Sequence, residues 1–340
     1  MNLEIGIVGY GYWGPNLVRN FNGSEGCDVT AVCDRSEERL AQVRKLYPGV
    51  KTYRDYDKFL ASGLDAIAVA TPVASHYSLA LQALEANKHV LIEKPMAETS
   101  EQAKTLIAEA EKRSLTLMID HTFIYTGAVR KIHNLYKKGE LGAIQYFDST
   151  RMNLGLYQHD VDVIWDLAVH DLSILDFIIS EAPTSVSAVG ASHVSGMPED
   201  MAYLSVFYKS GALAHVGVNW LSPVKVRRTV IGGTKKMIVW DDLEPSEKIK
   251  VYDTGVTVTD DPEKIYDMIV GYRVGDMWAP QVPMLEALAI EAEHFIECIN
   301  KKSKPITSGE IGLRVVKILE AASQSMKNRG APVELIGEKS

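Results

Sequence analysis

Apolar residues in the first third of the chain occur in short continuous runs that alternate with stretches of helical periodicity. The runs cover residues 3–8, 29–33, 66–70, 89–92 and 115–119. Helical patterns with one apolar side cover residues 16–22, 35–46, 75–86 and 101–113. Strands that are apolar throughout and alternate with helices are typical of a parallel sheet buried on both faces. We therefore predict an α/β domain with a parallel sheet over residues 1–121.

The pattern of residues 122–340 is different. Helices are predicted at 128–138 and 163–179, then strands at 185–191, 202–208, 212–220, 225–231, 237–240 and 249–252, then helices at 284–300 and 308–328. Several of these strands alternate apolar and polar residues, and turn pairs such as Ser210-Gly211 and Gly232-Gly233 separate them. Such alternation predicts an open, mainly antiparallel sheet with one face less buried. The second domain is therefore expected to be of the α+β class.

Composition and charge narrow the classes of partner. The chain of 340 residues has a net charge of −8 and no run of lysine or arginine, which disfavours nucleic acid and anionic membranes as partners. Its three cysteines, Cys27, Cys33 and Cys298, lack CxxC spacing, so neither a disulfide framework nor a zinc site is predicted. No stretch reaches the roughly 18 apolar residues of a membrane span, and the first residues are typical of a strand rather than a signal peptide. We expect a cytoplasmic protein.

A glycine motif, Gly9-x-Gly11-x-x-Gly14, lies between the first predicted strand and the first predicted helix. In this context the first glycine permits a tight turn, the second lets the backbone approach a pyrophosphate, and the third permits close packing of helix on strand. Asp34 ends the second strand, 20 residues after Gly14, where a carboxylate accepts hydrogen bonds from the adenine ribose. The motif predicts a Rossmann domain that binds NAD, although the adjacent Arg35 weakens the preference over NADP.

The segment Glu93-Lys94-Pro95 directly follows the fourth predicted strand. The carboxyl ends of parallel strands form the binding crevice of an open α/β sheet. A lysine there can donate a hydrogen bond to a substrate oxygen and stabilise developing alkoxide charge. A solvated surface lysine before a proline turn explains the same residues equally well. His76 and His121 follow strands near the same crevice, and we expect them to be packing or cofactor-edge residues.

Asp166 and His170 lie four residues apart in a predicted helix that is otherwise strongly apolar. That spacing puts them on one face, and a buried polar group left unsatisfied costs roughly 1–3 kcal/mol. An aspartate that orients a histidine is a common acid–base unit, and the alternative is a hydrogen-bonded pair that serves only the structure. His159, Asp160 and Asp162 lie nearby, but their spacing is not diagnostic and hydride transfer from a nicotinamide needs no metal. No metal is therefore predicted.

Taken in order, four motifs of the chain resemble the Gfo/Idh/MocA family, which is named for glucose–fructose oxidoreductase and inositol dehydrogenase. They are the glycine motif, Thr71-Pro72-x-x-x-His76, Glu93-Lys94-Pro95 and Asp166-x-x-x-His170. The resemblance covers nearly the whole chain and implies a Rossmann domain followed by an α+β domain with a large open sheet. It also implies hydride transfer at a carbon of a sugar or polyol, and a homodimer or homotetramer formed through the exposed face of that sheet, in residues 122–340.

The resemblance also assigns roles to residues. Lys94 would hold and polarise the reacting oxygen, His170 would be the general acid–base, and Asp166 would orient it. A cis peptide bond before Pro95 would place Lys94 beside the nicotinamide. The expected cofactor-binding residues are Gly9, Gly11, Tyr12, Trp13, Gly14, Asp34, Arg35, Thr71, Pro72, His76, Glu93 and Lys94. The expected substrate-binding residues are Lys94, Arg151, Asn153, Asp166 and His170.

Within the family, the chain resembles members found with bacterial surface-polysaccharide and amino-sugar pathways, through the runs at residues 9–16 and 166–175. Those members oxidise or reduce C3 of a nucleotide-linked sugar such as a UDP-N-acetylglucosamine derivative. A dehydrogenase of a free sugar or polyol such as inositol is one alternative, and an NAD-binding regulator without catalysis is another. The presence of Lys94, Asp166 and His170 argues against the regulator. Val169 is a departure, because proline is expected there in many such relatives.

Overall fold

The computed structural model describes residues 2–155, 161–258 and 270–335. The chain divides into two compact units. The first unit consists of Met1–Thr126 and Leu285–Lys317, and the second of Gly127–Met284 and Ile318–Ser340. The first unit thus takes in a late segment of the chain, which the sequence-based boundary after residue 121 does not include.

The first unit contains a sheet of six strands. They are β1 (Leu3–Val8), β2 (Cys27–Cys33), β3 (Lys51–Tyr53), β4 (Ala66–Val69), β5 (His89–Glu93) and β6 (Leu117–Asp120). Their order is β3-β2-β1-β4-β5-β6, and each neighbouring pair is parallel. This confirms the predicted Rossmann-type sheet. The edge strand β3 was not predicted, because three residues are too few to show a period.

The second unit contains a sheet of nine strands. They are β7 (Ile144–Leu154), β8 (Pro183–Ala191), β9 (Met201–Tyr208), β10 (Leu213–Asn219), β11 (Leu221–Gly233), β12 (Met237–Asp241), β13 (Ile249–Val258), β14 (Val270–Trp278) and β15 (Val333–Glu334). Their order is β14-β13-β12-β11-β7-β10-β9-β8-β15. Among these strands only β7 and β10 pair in parallel. The predicted large and mainly antiparallel sheet is confirmed.

Helices connect the strands in both units. They are α1 (Gly14–Gly23), α2 (Glu37–Leu46), α3 (Tyr56–Leu60), α4 (His76–Glu85), α5 (Ser100–Arg113), α6 (Gly127–Lys137), α7 (Val169–Ile178), α8 (Ala287–Lys301) and α9 (Gly309–Lys327). Thr99 caps α5 by accepting a hydrogen bond from the Gln102 N–H. Within the part of the chain that the structure describes, no helix is both long enough and apolar enough to span a membrane.

The two sheets differ in how they are covered. In the first unit, β4 is buried along its whole length, and β1, β2 and β5 are buried over most of theirs. In the second unit, one face of the sheet keeps large apolar side chains partly exposed, among them Tyr203, Phe207 and Leu213. Burial on both faces makes the strands of the first unit continuous apolar runs, whereas burial on one face makes those of the second unit alternate.

The helix predicted at 163–179 has two parts. Ile164–Ala168 forms a π-helix, and α7 continues from it without a break. The π-helical segment contains Asp166, and His170 is the second residue of α7. Apolar periodicity over so short a segment does not distinguish an α-helix from a π-helix, so the sequence predicted a single α-helix. Single π-helical turns inside α-helices are rare and frequently occur at functional sites.

Candidate active site

The glycine loop after β1 is built in a way that requires glycine at two of its three motif positions. Gly9 has a φ of +93°, and a Cβ built on it would lie 2.5 Å from the Ala70 carbonyl oxygen. A Cβ on Gly14 would lie 2.0 Å from the Gly9 carbonyl oxygen. At Gly11 the nearest atom to such a Cβ is on Arg39, at 3.6 Å, so packing alone does not require glycine there. A backbone that must approach a pyrophosphate does require it, and the loop therefore fits a dinucleotide.

Asp34 follows β2 at the carboxyl edge of the sheet and is almost buried. Its carboxylate accepts hydrogen bonds from the backbone N–H of Tyr10 and of Ser36, each at 2.7 Å. The Arg39 guanidinium lies 3.5 Å from the same carboxylate. Sequence reasoning considered Arg35, whose side chain is exposed, but missed Arg39. Arg39 could have been found from its position in the first turn of α2, three residues after the capping Ser36, because that turn directly follows Asp34.

Tyr12 and Trp13 occupy the loop between Gly11 and Gly14 in different ways. The Tyr12 side chain is 85% exposed. The Trp13 side chain turns inward, and its indole Nε1 donates a hydrogen bond of 2.6 Å to the Asp120 carboxylate at the end of β6. Trp13 is also the N-cap residue, directly before the first residue of α1. The glycine loop after β1 is thus hydrogen-bonded to β6, an edge strand of the same sheet.

The peptide bond between Lys94 and Pro95 is cis, as the family resemblance predicts. His76 is fully buried beneath this turn. Its Nδ1 lies 2.8 Å from the Pro95 carbonyl oxygen and its Nε2 lies 2.7 Å from that of Thr71. Burial lowers the pKa of His76, against the effect of these two hydrogen bonds. The geometry makes His76 a link between the residues that follow β4 and the turn that holds Lys94.

The remaining residues predicted near the cofactor lie along the same edge. Thr71 follows β4 by two residues, and its hydroxyl accepts a hydrogen bond from Ser75. Pro72 precedes a short 3-10 turn that leads into α4. Glu93 ends β5 and is paired in register with the last residue of β6. The next residue of that strand end, His121, is buried, and burial together with the charge of Lys94 lowers its pKa to about 3.

In the second unit, Asp166 is held by a residue distant in sequence. The indole Nε1 of Trp220, which is fully buried, donates a hydrogen bond of 3.0 Å to the Asp166 carboxylate. Trp220 also accepts a backbone hydrogen bond from Gly155, and a Cβ on Gly155 would lie 3.2 Å from the Asn153 amide nitrogen. The end of β7, which includes Asn153, therefore lies beside the residue that binds Asp166. Sequence reasoning missed Trp220, because no local pattern connects it with Asp166.

His170 is half-buried, and its Nδ1 is inaccessible to solvent. The preceding residue, Val169, donates its backbone N–H to the Ile164 carbonyl. That bond spans five residues and is the one that defines a π-helical turn. A proline in place of Val169 could not donate it. Valine in place of the expected proline thus allows the hydrogen bond that closes the π-helical turn between Asp166 and His170.

Arg151 is buried and engaged within the second unit. Its Nε donates to one oxygen of Asp171 at 2.6 Å, and its Nη2 to the other at 3.3 Å. Ser149 adds a third hydrogen bond to that carboxylate, at 2.7 Å. Asp171 directly follows His170, so the ion pair attaches α7 to strand β7. A contact between Arg151 and substrate, which the resemblance implies, stays a prediction.

Asp162 begins the helical segment that contains Asp166. Its carboxylate accepts hydrogen bonds from the backbone N–H of Ile164 and Trp165. Burial raises its pKa to about 6. His159 and Asp160 lie outside the described residues. Within the described ranges, no group of three histidine, cysteine or acidic side chains is placed to hold a metal ion.

Comparison with known proteins agrees with the motifs. A family model described as "Oxidoreductase family, NAD-binding Rossmann fold" matches residues 3–121, and one described as "Oxidoreductase family, C-terminal alpha/beta domain" matches residues 137–335. Both belong to Gfo/Idh/MocA. The matched ranges include the glycine loop, Lys94, Asp166 and His170.

Individual relatives are similar over nearly their whole length. The chain is 26% identical to the UDP-N-acetylglucosamine 3-dehydrogenase of Acidithiobacillus ferrooxidans, covering 93% of this chain and 95% of that protein. A solved structure of that enzyme has a TM-score of 0.80 and covers 95% of this chain and 96% of its own. The chain is 25% identical to the scyllo-inositol 2-dehydrogenase (NAD(+)) of Bacillus subtilis, covering 98% of this chain and 95% of that protein.

A third comparison supports the fold alone. An oxidoreductase from Agrobacterium radiobacter, solved with NAD+, L-tartaric acid and magnesium, has a TM-score of 0.83 at 21% identity and covers 98% of each chain. Family models that together cover most of the chain, the glycine loop and the confirmed sheets all lead to one assignment. The chain belongs to the Gfo/Idh/MocA family of NAD-binding oxidoreductases, as a dehydrogenase that acts on CH–OH groups.

Proposed function

We propose that this protein transfers hydride at C3 of a nucleotide-linked amino sugar of the UDP-N-acetylglucosamine type, with NAD as the hydride carrier. The observation that carries the proposal is the similarity, over 93% of the chain, to a UDP-N-acetylglucosamine 3-dehydrogenase. The chain also has the lysine, aspartate and histidine that the reaction needs, in Lys94, Asp166 and His170.

The dinucleotide would bind along the carboxyl edge of the first unit's sheet. The loop from Gly9 to Gly14 and the N-terminus of α1 would face the pyrophosphate, and Asp34 would accept hydrogen bonds from the adenine ribose. When bound, NAD+ accepts the hydride that leaves the sugar carbon. Asp34 already accepts two backbone N–H groups, so its carboxylate is fixed in orientation before a nucleotide arrives.

Lys94 would donate a hydrogen bond to the oxygen on the reacting carbon. Two features fix the turn on which it lies: the end of β5 and the 2.8 Å hydrogen bond between His76 Nδ1 and the Pro95 carbonyl oxygen. An ammonium group held in this way stabilises the negative charge that develops on the oxygen as the hydride leaves. It would do so without having to reorganise during the reaction.

His170 would take the hydroxyl proton as general base, and would return it when the reaction runs towards the alcohol. Asp166, held by Trp220, would stabilise the imidazolium that forms. General acid–base catalysis of this kind contributes roughly 10²–10⁴-fold to rate. Asn153, close to Gly155 and Trp220, would contact the sugar.

A free polyol is the second candidate substrate, favoured by the 25% identity to a scyllo-inositol 2-dehydrogenase over 98% of the chain. The two candidates require the same chemistry of Lys94 and His170. They differ in whether binding depends on the nucleotide. The need for a UDP group therefore distinguishes them.

Purified protein should be mixed with NAD+ and a panel of UDP-N-acetylglucosamine, its uronate, UDP-glucose, dTDP-sugars, myo-inositol and scyllo-inositol. NADH absorbance is followed with and without 2-oxoglutarate as reoxidant. We expect a signal with a UDP-amino sugar and none with either inositol. Lys94→Ala and His170→Ala should keep NAD+ affinity and lose turnover by about 10²–10⁴-fold.

Lys58→Ala is the matched control, because Lys58 is an exposed lysine of a short helix and its removal should leave turnover unchanged. Turnover that survives in both Lys94→Ala and His170→Ala would remove the mechanism. A signal with inositols only would replace the nucleotide sugar with the second candidate.

We also propose that the protein is a homodimer or homotetramer assembled through the nine-stranded sheet. The support is the set of apolar side chains left 37–50% exposed on β8, β9, β10 and β14, namely Val189, Tyr203, Phe207, Leu213 and Met277. Exposed apolar groups of this size commonly mark interfaces. Light scattering should give an oligomer that Phe207→Asp with Leu213→Asp dissociates, whereas Leu46→Asp on α2 does not. A monomeric wild type would contradict the proposal.

A further inference from the structure

Glu291 on α8 is a fully buried carboxyl group in the first unit. Neither of its oxygens has a hydrogen-bond donor among the described residues, and both are inaccessible to solvent. An ionised carboxylate in such a place would be strongly disfavoured. The motifs and the mechanism assign Glu291 no role. Its surroundings therefore have to explain how its carboxyl group is accommodated.

The carboxyl of Glu291 lies against the carboxylate of Asp120 and the hydroxyl of Thr122. Asp120 is itself buried, and it accepts hydrogen bonds from the Trp13 indole, at 2.6 Å, and from the Thr122 hydroxyl. The two donors take one oxygen of Asp120 each, Oδ2 and Oδ1, so a proton shared by the pair is accommodated more readily on Glu291 than on Asp120. Thr122 donates its one hydroxyl proton to Asp120. Its nearness to Glu291 lowers the pKa of that carboxyl, but burial and the Asp120 charge outweigh this effect.

A single proton on Glu291 would satisfy both carboxyl groups. If Glu291 is neutral, its O–H is a donor beside the Asp120 carboxylate, and the buried pair carries one charge instead of two. Burial, then the Asp120 charge, raises the pKa of Glu291 well above its ordinary value. Two adjacent carboxyl groups that cannot both ionise commonly share a proton in this way.

We propose that Glu291 is a protonated positioning residue, whose hydrogen bond to Asp120 holds the Trp13 indole and thereby fixes the glycine loop for NAD binding. Trp13 is the attachment point, because its backbone carbonyl accepts the N–H of Asn16 and of Leu17 at the start of α1. Fixing the indole fixes the first turn of the helix that faces the pyrophosphate. The inference concerns cofactor binding and does not depend on which sugar is the substrate.

The other charged groups around Glu291 neither neutralise its carboxyl group nor titrate in its place. Glu93, at the end of β5, adds negative charge and raises the pKa of Glu291 further. On α1, which packs against α8, Arg19 pairs with Glu286. His121 has a pKa lowered to about 3, so it is neutral from pH 6 to pH 10. When the pH rises above the raised pKa of Glu291, we therefore expect deprotonation of Glu291 to be the main cause of losing its hydrogen bond to Asp120.

The test compares wild type with Glu291→Gln and with Glu293→Gln, an exposed glutamate on the same helix. NAD+ affinity is measured by calorimetry from pH 6 to pH 10. Wild type and Glu293→Gln should lose affinity on the alkaline side by about tenfold, the effect of one hydrogen bond to a charged group. Glu291→Gln, which keeps a neutral donor, should bind NAD+ as tightly at pH 6 and lose nothing on the alkaline side. Trp13→Phe should weaken binding at every pH.

Infrared spectroscopy of the wild type is the independent measurement. A buried protonated carboxyl group gives its own carbonyl stretch, which should be present at pH 8 and should disappear in step with NAD+ affinity as the pH rises. Its absence at pH 8 would overturn the proposal even if Glu291→Gln failed to fold. So would a pH dependence of NAD+ affinity in Glu291→Gln that matches the wild type.

Discussion

Two buried carboxylates, one in each unit, are held in place by different parts of the chain. In the first unit, Asp34 accepts hydrogen bonds from the backbone N–H groups of Tyr10 and Ser36. In the second unit, Asp171 is held by side chains, since Arg151 donates to both of its oxygens. A backbone donor is present whatever residue supplies it. A side-chain donor is lost with a single substitution.

This difference predicts how each site fails. Substitution of a group in the first unit should weaken one contact and leave the unit folded. Substitution of a buried partner in the second unit should leave the other partner charged and uncompensated in the core. Asp166 is also held by a side chain, since it accepts a hydrogen bond from Trp220, which lies 54 residues away in the sequence.

The strongest way to break the contrast is to remove one partner of the buried ion pair. Arg151→Met should destabilise the protein by about 3–5 kcal/mol, because Asp171 keeps its charge without its partner. The double variant Arg151→Met with Asp171→Leu should be milder than either single variant, because no buried charge remains. Urea unfolding followed by circular dichroism measures all three.

The matched control is Arg19→Met in the first unit. Arg19 forms an exposed pair with Glu286, with about half of each side chain accessible, and exposed pairs contribute roughly 0–1 kcal/mol. If Arg151→Met were as mild as Arg19→Met, the second unit would not depend on its side-chain network, and the contrast would fail.

The same contrast explains what the sequence could predict. The glycine loop, Asp34 and the strand that leads to Lys94 lie in continuous stretches of chain where strand, turn and helix follow in a fixed order. Those local rules located β1 without error, and β2, β4, β5 and β6 within one or two residues. Positions that depend on strand ends in a parallel sheet are therefore visible before a structure exists.

The parts that escaped prediction are the ones formed by distant residues. Trp220 binds Asp166, and Glu291 reaches Asp120 from a helix that lies 171 residues later in the chain. No periodicity marks such pairs. The π-helical turn around Asp166 was missed for a related reason, since one additional residue in a turn hardly changes an apolar pattern. The residue types in the sequence were enough to predict the catalytic candidates. Their hydrogen-bond partners depend on tertiary packing, which the sequence does not show.

A second prediction sharpens the contrast through pH. Asp162 has its pKa raised to about 6 by burial, so the folded state favours the protonated form. Its contribution to stability is full below about pH 4 and is lost as pH rises through about 6. Asp162→Asn keeps an oxygen for the N–H groups of Ile164 and Trp165 but cannot ionise. Its advantage over wild type should grow from pH 4 to pH 7, to on the order of 3 kcal/mol.

Thermal unfolding at each pH measures that advantage, and Asp162→Ala separates the charge from the cap. Loss of the cap should cost Asp162→Ala about 1 kcal/mol relative to Asp162→Asn at every pH. A constant difference between Asp162→Asn and wild type from pH 4 to pH 7 would show that the buried charge carries no cost.

The smallest effect is expected in the first unit, at Asp34. Asp34→Asn keeps an acceptor for one backbone N–H but loses the charge that should bind the ribose, so NAD+ should bind about tenfold more weakly, or roughly 1.4 kcal/mol. Arg35 and Arg39 would then be less neutralised, and discrimination against NADP+ should fall. Adding Arg39→Ala should restore part of it, because Arg39 lies 3.5 Å from the Asp34 carboxylate. Calorimetry with both nucleotides decides the matter: an unchanged ratio of the two affinities would mean that Asp34 only orders the loop, and that cofactor choice is made elsewhere in the first unit.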